Sequence, residues 1–199
     1  CCGSVMLRTG RYEDAVENAR EVAKRIASTG AKRVVVTCAG CYKTLKQDYA
    51  EMGIDVPEIV PMAEFAKELI AQGKINLSGN TEQLVVTYHD PCHLGREMGV
   101  FDSPREVVES VPGVTLVEME TNREKAMCCG AGGGLRSFDG DLAKKIAADR
   151  VRDACAVGAK TIVTACPFCE HNLAAGAKIA DEDVEVVDIV NLLARSMKE

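Results

Sequence analysis

The chain has 199 residues, of which 47% are hydrophobic, so it can bury the core of one large domain or two small ones without disulfide support. Its formal net charge of −6 disfavours a nucleic-acid-binding protein, which would present a basic face to phosphates. No apolar run is long enough for a transmembrane helix, and the opening at Cys1 without an initiator Met predicts that the chain is part of a longer protein.

The hydrophobic pattern predicts helices and short strands in alternation. Residues 13–28 repeat apolar positions with a helical period, and Gly30 is placed to end that helix. The predicted strands are 33–37, 57–60, 84–88, 114–118, 161–164 and 184–187, and the further predicted helices are 42–51, 62–72, 104–111, 139–156, 168–177 and 188–197. Such alternation indicates an α/β fold with parallel sheets, and the polar segment 71–83 is interpreted as a linker.

The ten cysteines follow a repeated spacing. A Cys-Cys-Gly motif stands at 1–3 and again at 128–130, and the tripeptide Gly-Ala-Lys at 30–32 and again at 158–160. The Cys-x-x-Cys pairs that follow are Cys38/Cys41 and Cys166/Cys169. The offset between the copies is 127 residues at the first motif and 128 at the second, so an internal duplication is the simplest explanation.

The duplication predicts two domains of unequal completeness. Residues 84–199 form a complete second repeat, which begins with Cys92, 36 residues before Cys128. Residues 1–75 form a first repeat that lacks its opening third, because the counterpart of Cys92 would lie roughly 35 residues before Cys1. Each repeat is expected to be a short parallel sheet with flanking helices.

The cysteines are predicted to meet at one point, because each group follows a strand and the carboxyl ends of parallel strands share an edge. The Cys-x-x-Cys pairs begin helices, where the dipole favours thiolates. Neighbouring side chains point in different directions, so Cys128 and Cys129 suit different irons of a cluster or a bridging thiolate, and the glycines that follow let backbone approach the cluster. Five cysteines exceed the tetrahedral set of zinc and favour a multi-iron cluster, with zinc as the alternative where a ligand is missing.

The histidines allow more than one interpretation. His89 and His93 flank Cys92, where either could donate a hydrogen bond to a cluster sulfur or deliver a proton, or could only order the loop beside Asp90. His171 is expected on a solvated helix face. Cys155 fits no place in the repeat and is expected to be a small buried hydrophobic residue.

These motifs resemble the cysteine-rich CCG domain, and the segment YHDPCHLGR resembles its usual opening. Two tandem copies resemble the catalytic B and D subunits of heterodisulfide reductase, the D type most, together with the K subunit of a sulfite-reduction membrane complex. The resemblance implies noncubane [4Fe–4S] clusters, one or two. The implied ligands are Cys92, Cys128, Cys129, Cys166 and Cys169 for the second repeat, and Cys1, Cys2, Cys38 and Cys41 for the first, where one ligand is absent and zinc is the alternative.

The implied activity is reduction of the mixed disulfide of coenzyme M and coenzyme B between two clusters, with Cys128, Cys129 and His93 as catalytic residues. The implied partners are a ferredoxin-like domain or subunit upstream and a membrane cytochrome b or flavoprotein subunit. The expected location is the cytoplasm, peripheral to the membrane through that partner. The alternatives are an iron–sulfur electron-transfer subunit of a lactate or glycolate oxidase or of the sulfite-reduction complex, and a zinc-binding structural module.

Overall fold

In a computed structural model, which describes residues 1–77 and 83–197, the described part of the chain forms two parallel β-sheets flanked by helices. The first sheet pairs β1 (Arg33–Val36) with β2 (Glu58–Pro61). The second sheet has the strand order β4-β3-β5-β6. Its strands are β3 (Leu84–His89), β4 (Val114–Leu116), β5 (Thr161–Thr164) and β6 (Glu185–Asp188).

The helices alternate with the strands, as predicted for an α/β protein. They are α1 (Ser4–Arg8), α2 (Tyr12–Ser28), α3 (Ala39–Lys43), α4 (Tyr49–Glu51), α5 (Met62–Ala71), α6 (Asp102–Glu109), α7 (Leu135–Phe138), α8 (Gly140–Ala156), α9 (Pro167–Ala180) and α10 (Ile189–Ser196). A π-helical turn (Thr44–Asp48) joins α3 to α4, and a short 3₁₀ turn spans Arg123–Lys125. None of the described helices is long and apolar enough to cross a membrane.

The two sheets correspond to the two predicted repeats. Strand β5 precedes one Cys-x-x-Cys pair and pairs with β6, just as β1 precedes the other and pairs with β2. All four residues of β5 are buried because β3 covers its other edge, whereas the valines of β1 are only half-buried. Within the described residues the first sheet has no counterpart of β3 and β4.

Helices α8 and α9 pack closely because small residues face each other. A Cβ atom on Gly176 of α9 would lie 2.6 Å from the carbonyl carbon of Ala147, which is fully buried on α8. This close approach fixes the beginning of α9, where Cys166 lies, against the helix that follows the glycine loop. Packing of these two helices therefore sets the relative positions of two cysteine groups.

Most predicted elements are confirmed within a few residues, and the differences have local causes. Helices α1 and α7 were not predicted, because they have four or five residues and are too short to show a period. The helix predicted from residue 42 begins at Ala39, directly after the first cysteine of its pair. Cys155 is half-buried rather than buried, and residues 78–82 of the predicted linker lie outside the described residues.

Candidate metal centre

The carboxyl ends of three strands carry the cysteine loops, as the sequence predicts. Cys38 and Cys166 are the N-cap residues of α3 and α9, so the first cysteine of each pair lies between a strand and a helix. Pro167 occupies the first turn of α9, where its missing N–H costs nothing. Cys92 follows β3, which lies next to β5 in the same sheet. The strand order therefore places the loops of Cys92 and Cys166 at one edge of the second sheet, whereas Cys38 follows a strand of the first sheet.

The thiols of eight cysteines form one connected set, in which neighbouring thiols shift one another's pKa. In the second repeat the chain of contacts runs Cys92–Cys128–Cys129–Cys169–Cys166. In the first repeat it runs Cys2–Cys41–Cys38. Cys38 and Cys166, whose thiols lie close enough to shift each other's pKa, join the two. The Cys-x-x-Cys pairs of both repeats therefore meet directly.

The predicted ligand Cys1 is not part of this set of thiols. It is exposed, and its carbonyl oxygen accepts a hydrogen bond of 3.0 Å from Asn18 Nδ2. The half-exposed Cys155 on α8 is not part of the set either, and burial raises the pKa of its thiol. The thiol contacts thus unite eight of the nine cysteines that were predicted as ligands.

The pKa is lowered most at one thiol in each repeat, Cys128 in the second and Cys38 in the first. Hydrogen bonds from Cys129 and Cys92 lower the pKa of Cys128 to about 2, and hydrogen bonds from Cys166 and Cys41 do the same for Cys38. The thiols that donate those bonds are held in the neutral form, as at Cys92, where the bond to Cys128 raises the pKa. Full deprotonation of so many adjacent thiols requires compensating metal charge, since a coordinating thiol loses its proton outright.

The Cys-Cys-Gly loop of the second repeat is held rigidly. The Gly130 N–H donates to Cys128 Sγ over 3.3 Å, and Gly130 has a φ of +83°, a conformation that a side chain would strain. The buried Asn172 of α9 donates to the carbonyl oxygens of Cys129 and Ala143. The loop is therefore fastened to both α8 and α9.

The matching loop of the first repeat is anchored at the same position by a different residue. The hydroxyl of Tyr49 donates to the carbonyl oxygen of Cys2 over 3.0 Å. The Tyr49 ring is fully buried, at the end of the π-helical turn. In both repeats the carbonyl of the second cysteine thus accepts a side-chain hydrogen bond, which fixes the direction of the adjacent thiols.

A buried ion pair orders the loop that carries Cys92. Both guanidinium Nη atoms of Arg105 bond the carboxylate of Asp90, at 2.8 and 2.9 Å, and Glu118 pairs with the same guanidinium. The other contact of Asp90 is the backbone N–H of Arg123, which has a φ of +54°. Asp90 thereby joins α6 to the segment that leads into the Cys-Cys-Gly loop.

His93 points from the second repeat towards the first. A Cβ atom on Gly40, inside the first Cys-x-x-Cys pair, would lie 3.3 Å from His93 Nδ1. The other ring nitrogen lies 3.5 Å from Glu97, whose carboxylate is 3.6 Å from the ammonium of Lys43. Lys43 is buried and also pairs with Asp48 at 2.6 Å. The sequence placed His93 beside Cys92, whereas the structure adds that its ring reaches the opposite repeat.

His89 lies deepest in the site. The residue is fully buried, and its Nε2 atom has no hydrogen-bond partner among the described residues. The ligand atoms of His89, Cys129 and Cys169 all lie within 4.8 Å of one another. Burial, with a smaller effect of the charge of Arg150, lowers the pKa of His89 to about 4. A neutral imidazole therefore faces the thiols.

Comparison with known proteins assigns the chain to a family. The model of the cysteine-rich domain called CCG matches residues 1–46 and 86–174, and so covers both repeats. The chain belongs to the CCG cysteine-rich domain family. A double match within one chain agrees with the duplication that the spacing predicts.

Several curated proteins are similar over nearly the whole chain. The D subunit of dihydromethanophenazine:CoB–CoM heterodisulfide reductase from Methanosarcina mazei is 44% identical, covering 99% of this chain and 49% of that protein. The B subunit of fumarate reductase (CoM/CoB) from Methanothermobacter marburgensis is 37% identical, covering 97% and 38%. EtfAB:quinone oxidoreductase of Syntrophomonas wolfei is 34% identical, covering 100% and 29%. The chain thus spans about half the length of the heterodisulfide reductase relatives that it matches.

Among solved structures, a glutamate racemase of Bacillus anthracis is 12% identical with a TM-score of 0.42, over 90% of this chain and 62% of that one, a likeness too weak to support an argument. The curated relatives are named as oxidoreductases and iron–sulfur proteins. Together with the thiol set and the unpartnered His89 Nε2, they support an iron–sulfur cluster as the cofactor of this chain.

Sequence reasoning singled out His89 and named Asp90, because they stand beside Cys92 directly after a strand, but it missed the other residues that hold the ligand loops. Arg105, Arg150 and Asn172 carried no such signal, because each lies on a helix among other polar residues, and only their burial distinguishes them.

Proposed function

We propose that this chain is the cysteine-rich catalytic part of a heterodisulfide reductase-type iron–sulfur oxidoreductase. The observation that carries the proposal is the direct contact of Cys38 with Cys166, which brings the cysteine sets of two repeats to one interface. At this interface, each of the two cysteine sets can act on one sulfur atom of a disulfide substrate. The 44% identity to the Methanosarcina mazei reductase supports the same assignment.

The proposed ligands follow the two repeats, residues 84–199 and residues 1–75. We propose a noncubane [4Fe–4S] cluster at the second set and a second cluster at the first set, with zinc as the alternative for the first. The second set is Cys92, Cys128, Cys129, Cys166 and Cys169, and the first set is Cys1, Cys2, Cys38 and Cys41. The connected thiols favour these sets, with Cys1 as their least supported member.

The proposed reaction consumes one disulfide, two electrons and two protons and releases two thiols. When bound, each cluster would supply one electron and a soft iron site for one substrate sulfur. Cys128 and Cys129 are the proposed catalytic thiols, and Asn172 and Gly130 hold their loop in place. His93 stays a predicted catalytic residue, because its ring lies between the repeats beside Gly40.

The test is anaerobic assembly of the full-length protein with iron and sulfide. We expect both to be incorporated, an EPR signal that changes on addition of coenzyme M thiol, and reduction of the mixed disulfide by a reduced dye. Cys92→Ser should lose the iron of the second set, whereas the matched control Cys155→Ser should retain it. A protein that takes up zinc and no iron would contradict the proposal.

A second candidate function is electron transfer without substrate chemistry. The 34% identity to EtfAB:quinone oxidoreductase favours it, as does the 38% identity to the probable iron-sulfur-binding oxidoreductase FadF of Bacillus subtilis. An assembled protein that accepts electrons from a flavoprotein but reduces no mixed disulfide would support this alternative. The ferredoxin-like segment, the cytochrome b or flavoprotein partner and the cytoplasmic, membrane-peripheral location stay proposals for the whole protein.

A further inference from the structure

His89 occupies an unusual position for a polar side chain. It is the last residue of β3 and is fully buried, and Thr164 Oγ1 donates to its backbone carbonyl over 3.1 Å. A ring nitrogen of His89 lies within 4.8 Å of the thiols of Cys129 and Cys169, and its Nε2 atom has no partner among the described residues. A buried ring nitrogen without a hydrogen bond costs free energy, on the order of 1–3 kcal/mol, unless a group outside the polypeptide satisfies it.

Arg150 determines which ring nitrogen carries the proton. Its Nε atom donates to His89 Nδ1 over 3.4 Å. A nitrogen that accepts a hydrogen bond holds no proton of its own, so the proton of the neutral ring is on Nε2. The unpartnered Nε2 atom is therefore a donor and has no lone pair with which to bind iron.

The guanidinium of Arg150 is itself buried and held by several hydrogen bonds. The side chain is 1% exposed, with the Nη1 atom bonded to Thr121 Oγ1 at 2.9 Å and to Asp153 at 3.2 Å. The Nη2 atom donates to the backbone carbonyl of Thr121 at 2.8 Å. A guanidinium fixed by these contacts can neither rotate away nor take the proton of the ring, so it keeps His89 in one tautomer.

We propose that His89 donates an Nε2–H hydrogen bond to a sulfur of the iron–sulfur cluster in the second repeat, and that Arg150 is the positioning residue that fixes this donor. The inference rests on the proposed cluster ligation by Cys129 and Cys169. A donor to a cluster or ligand sulfur stabilises the more negative, reduced state, and so raises the reduction potential. The pair His89–Arg150 thus sets how readily the second cluster accepts an electron.

The test is a redox titration of the assembled full-length protein, followed by EPR, with pulsed EPR on protein labelled with ¹⁵N-histidine. The wild-type protein should show a ¹⁵N coupling to the reduced cluster. His89→Leu should lose that coupling and shift the midpoint potential to a more negative value at unchanged iron and sulfide content. His89→Gln keeps an amide N–H donor and should shift the potential less, and it replaces the leucine variant if that variant does not fold.

The positioning role of Arg150 is tested by comparing an uncharged substitution with a conservative one. Arg150→Met should weaken the ¹⁵N coupling and lower the potential, because both tautomers of His89 become accessible, and Arg150→Lys should restore part of each. His171→Gln, at an exposed histidine of α9, is the matched control and should change neither.

Three possible results distinguish failure of the proposed function from failure of the inference about His89. A wild-type protein that assembles no cluster overturns the proposed function. An assembled His89→Leu protein with unchanged potential and ¹⁵N coupling overturns this inference alone. Loss of iron in both His89 variants, with a direct ¹⁵N bond to iron in the wild type, assigns His89 as a ligand and also overturns it.

Discussion

The buried ion pair between Arg105 and Asp90 gives the sharpest prediction about stability. The side chain of Arg105 is 6% exposed and that of Asp90 is 2% exposed, and two parallel hydrogen bonds join them. Substitution Arg105→Met leaves the carboxylate buried, with the backbone N–H of Arg123 as its remaining hydrogen-bond donor among the described residues. Removal of one partner from a buried pair costs about 3–5 kcal/mol, because the other charge stays desolvated.

This cost corresponds to a roughly 150- to 5,000-fold fall in the folding equilibrium constant. The assay is urea unfolding of the metal-free chain, followed by circular dichroism. The neighbouring residue provides the control: Glu106 pairs with Lys67 at 2.6 Å, with both side chains 47% exposed. Glu106→Gln should cost about 1 kcal/mol or less, as exposed pairs do.

In the double variant Asp90→Asn/Arg105→Met, the free energy of unfolding reports the lost packing of Arg105 without the cost of an unpaired buried carboxylate. Since no buried carboxylate is left unpaired and only the partly exposed Glu118 has lost its partner, the double variant should be more stable than Arg105→Met alone, and the cycle should give a favourable coupling energy. If Arg105→Met costs no more than Glu106→Gln, burial of this pair does not stabilise the Cys92 loop and the reasoning is wrong.

Three further predictions test the helix packing, the glycine loop and a carboxyl group. Gly176→Ala places a Cβ 2.6 Å from the Ala147 carbonyl carbon, and should lower the urea midpoint by the equivalent of about 1–3 kcal/mol. Gly130→Ala strains a residue at φ +83° and brings a Cβ within 2.7 Å of Ala143 O, so anaerobic assembly should incorporate less iron. Burial raises the pKa of Asp188 to about 6, above the unfolded value of about 4. The folded state then binds more protons between those values, so this residue's contribution to stability is lost as pH rises from about 4 to 6, and Asp188→Asn should abolish that part of the pH dependence.

The predictions for Gly176 and Asp188 each have an internal control. At Gly140 a Cβ would meet no atom within 4 Å, so Gly140→Ala should leave the urea midpoint unchanged or raise it. Asn at position 188 can still accept the hydrogen bond from the Val190 N–H, so any change in slope reports the charge and not the helix cap. Equal slopes for Asp188→Asn and wild type between pH 4 and 6 would contradict the assignment.

The parts of the fold that the sequence predicted are those with a strong local signal. β-Branched runs gave the strands, and the period of α2 and α8 gave the long helices, because burial on one side selects apolar residues at regular spacing. The short α1 and α7 follow glycines at φ +87° and +82°, a loop geometry that leaves no periodic trace. The π-helical turn after α3 likewise has no pattern of its own.

The candidate site likewise has features that the sequence predicted and features that it did not. Convergence of Cys92 with the second Cys-x-x-Cys pair was predictable, because it follows from strand order and from the rule that loops at one sheet edge are neighbours. The tautomer of His89 was not, since it depends on Arg150, which is 61 residues away and lies on another element. The position of the His93 ring beside Gly40 of the other repeat was not predictable either, because it depends on how one repeat packs on the other.

The contact of Cys38 with Cys166 suggests a chemical reason why the protein needs two repeats. Under the proposed function each repeat handles one electron, whereas a disulfide needs two, so a single repeat is insufficient. The contact joins the first cysteine of each Cys-x-x-Cys pair, and these occupy equivalent positions after β1 and β5. Equivalent residues that meet are the expected result when two copies of a domain pack about an approximate two-fold axis. A substitution at Cys38 should therefore disturb the second set as well as the first, whereas one at Cys92, at the far end of the connected thiols, should affect mainly its own.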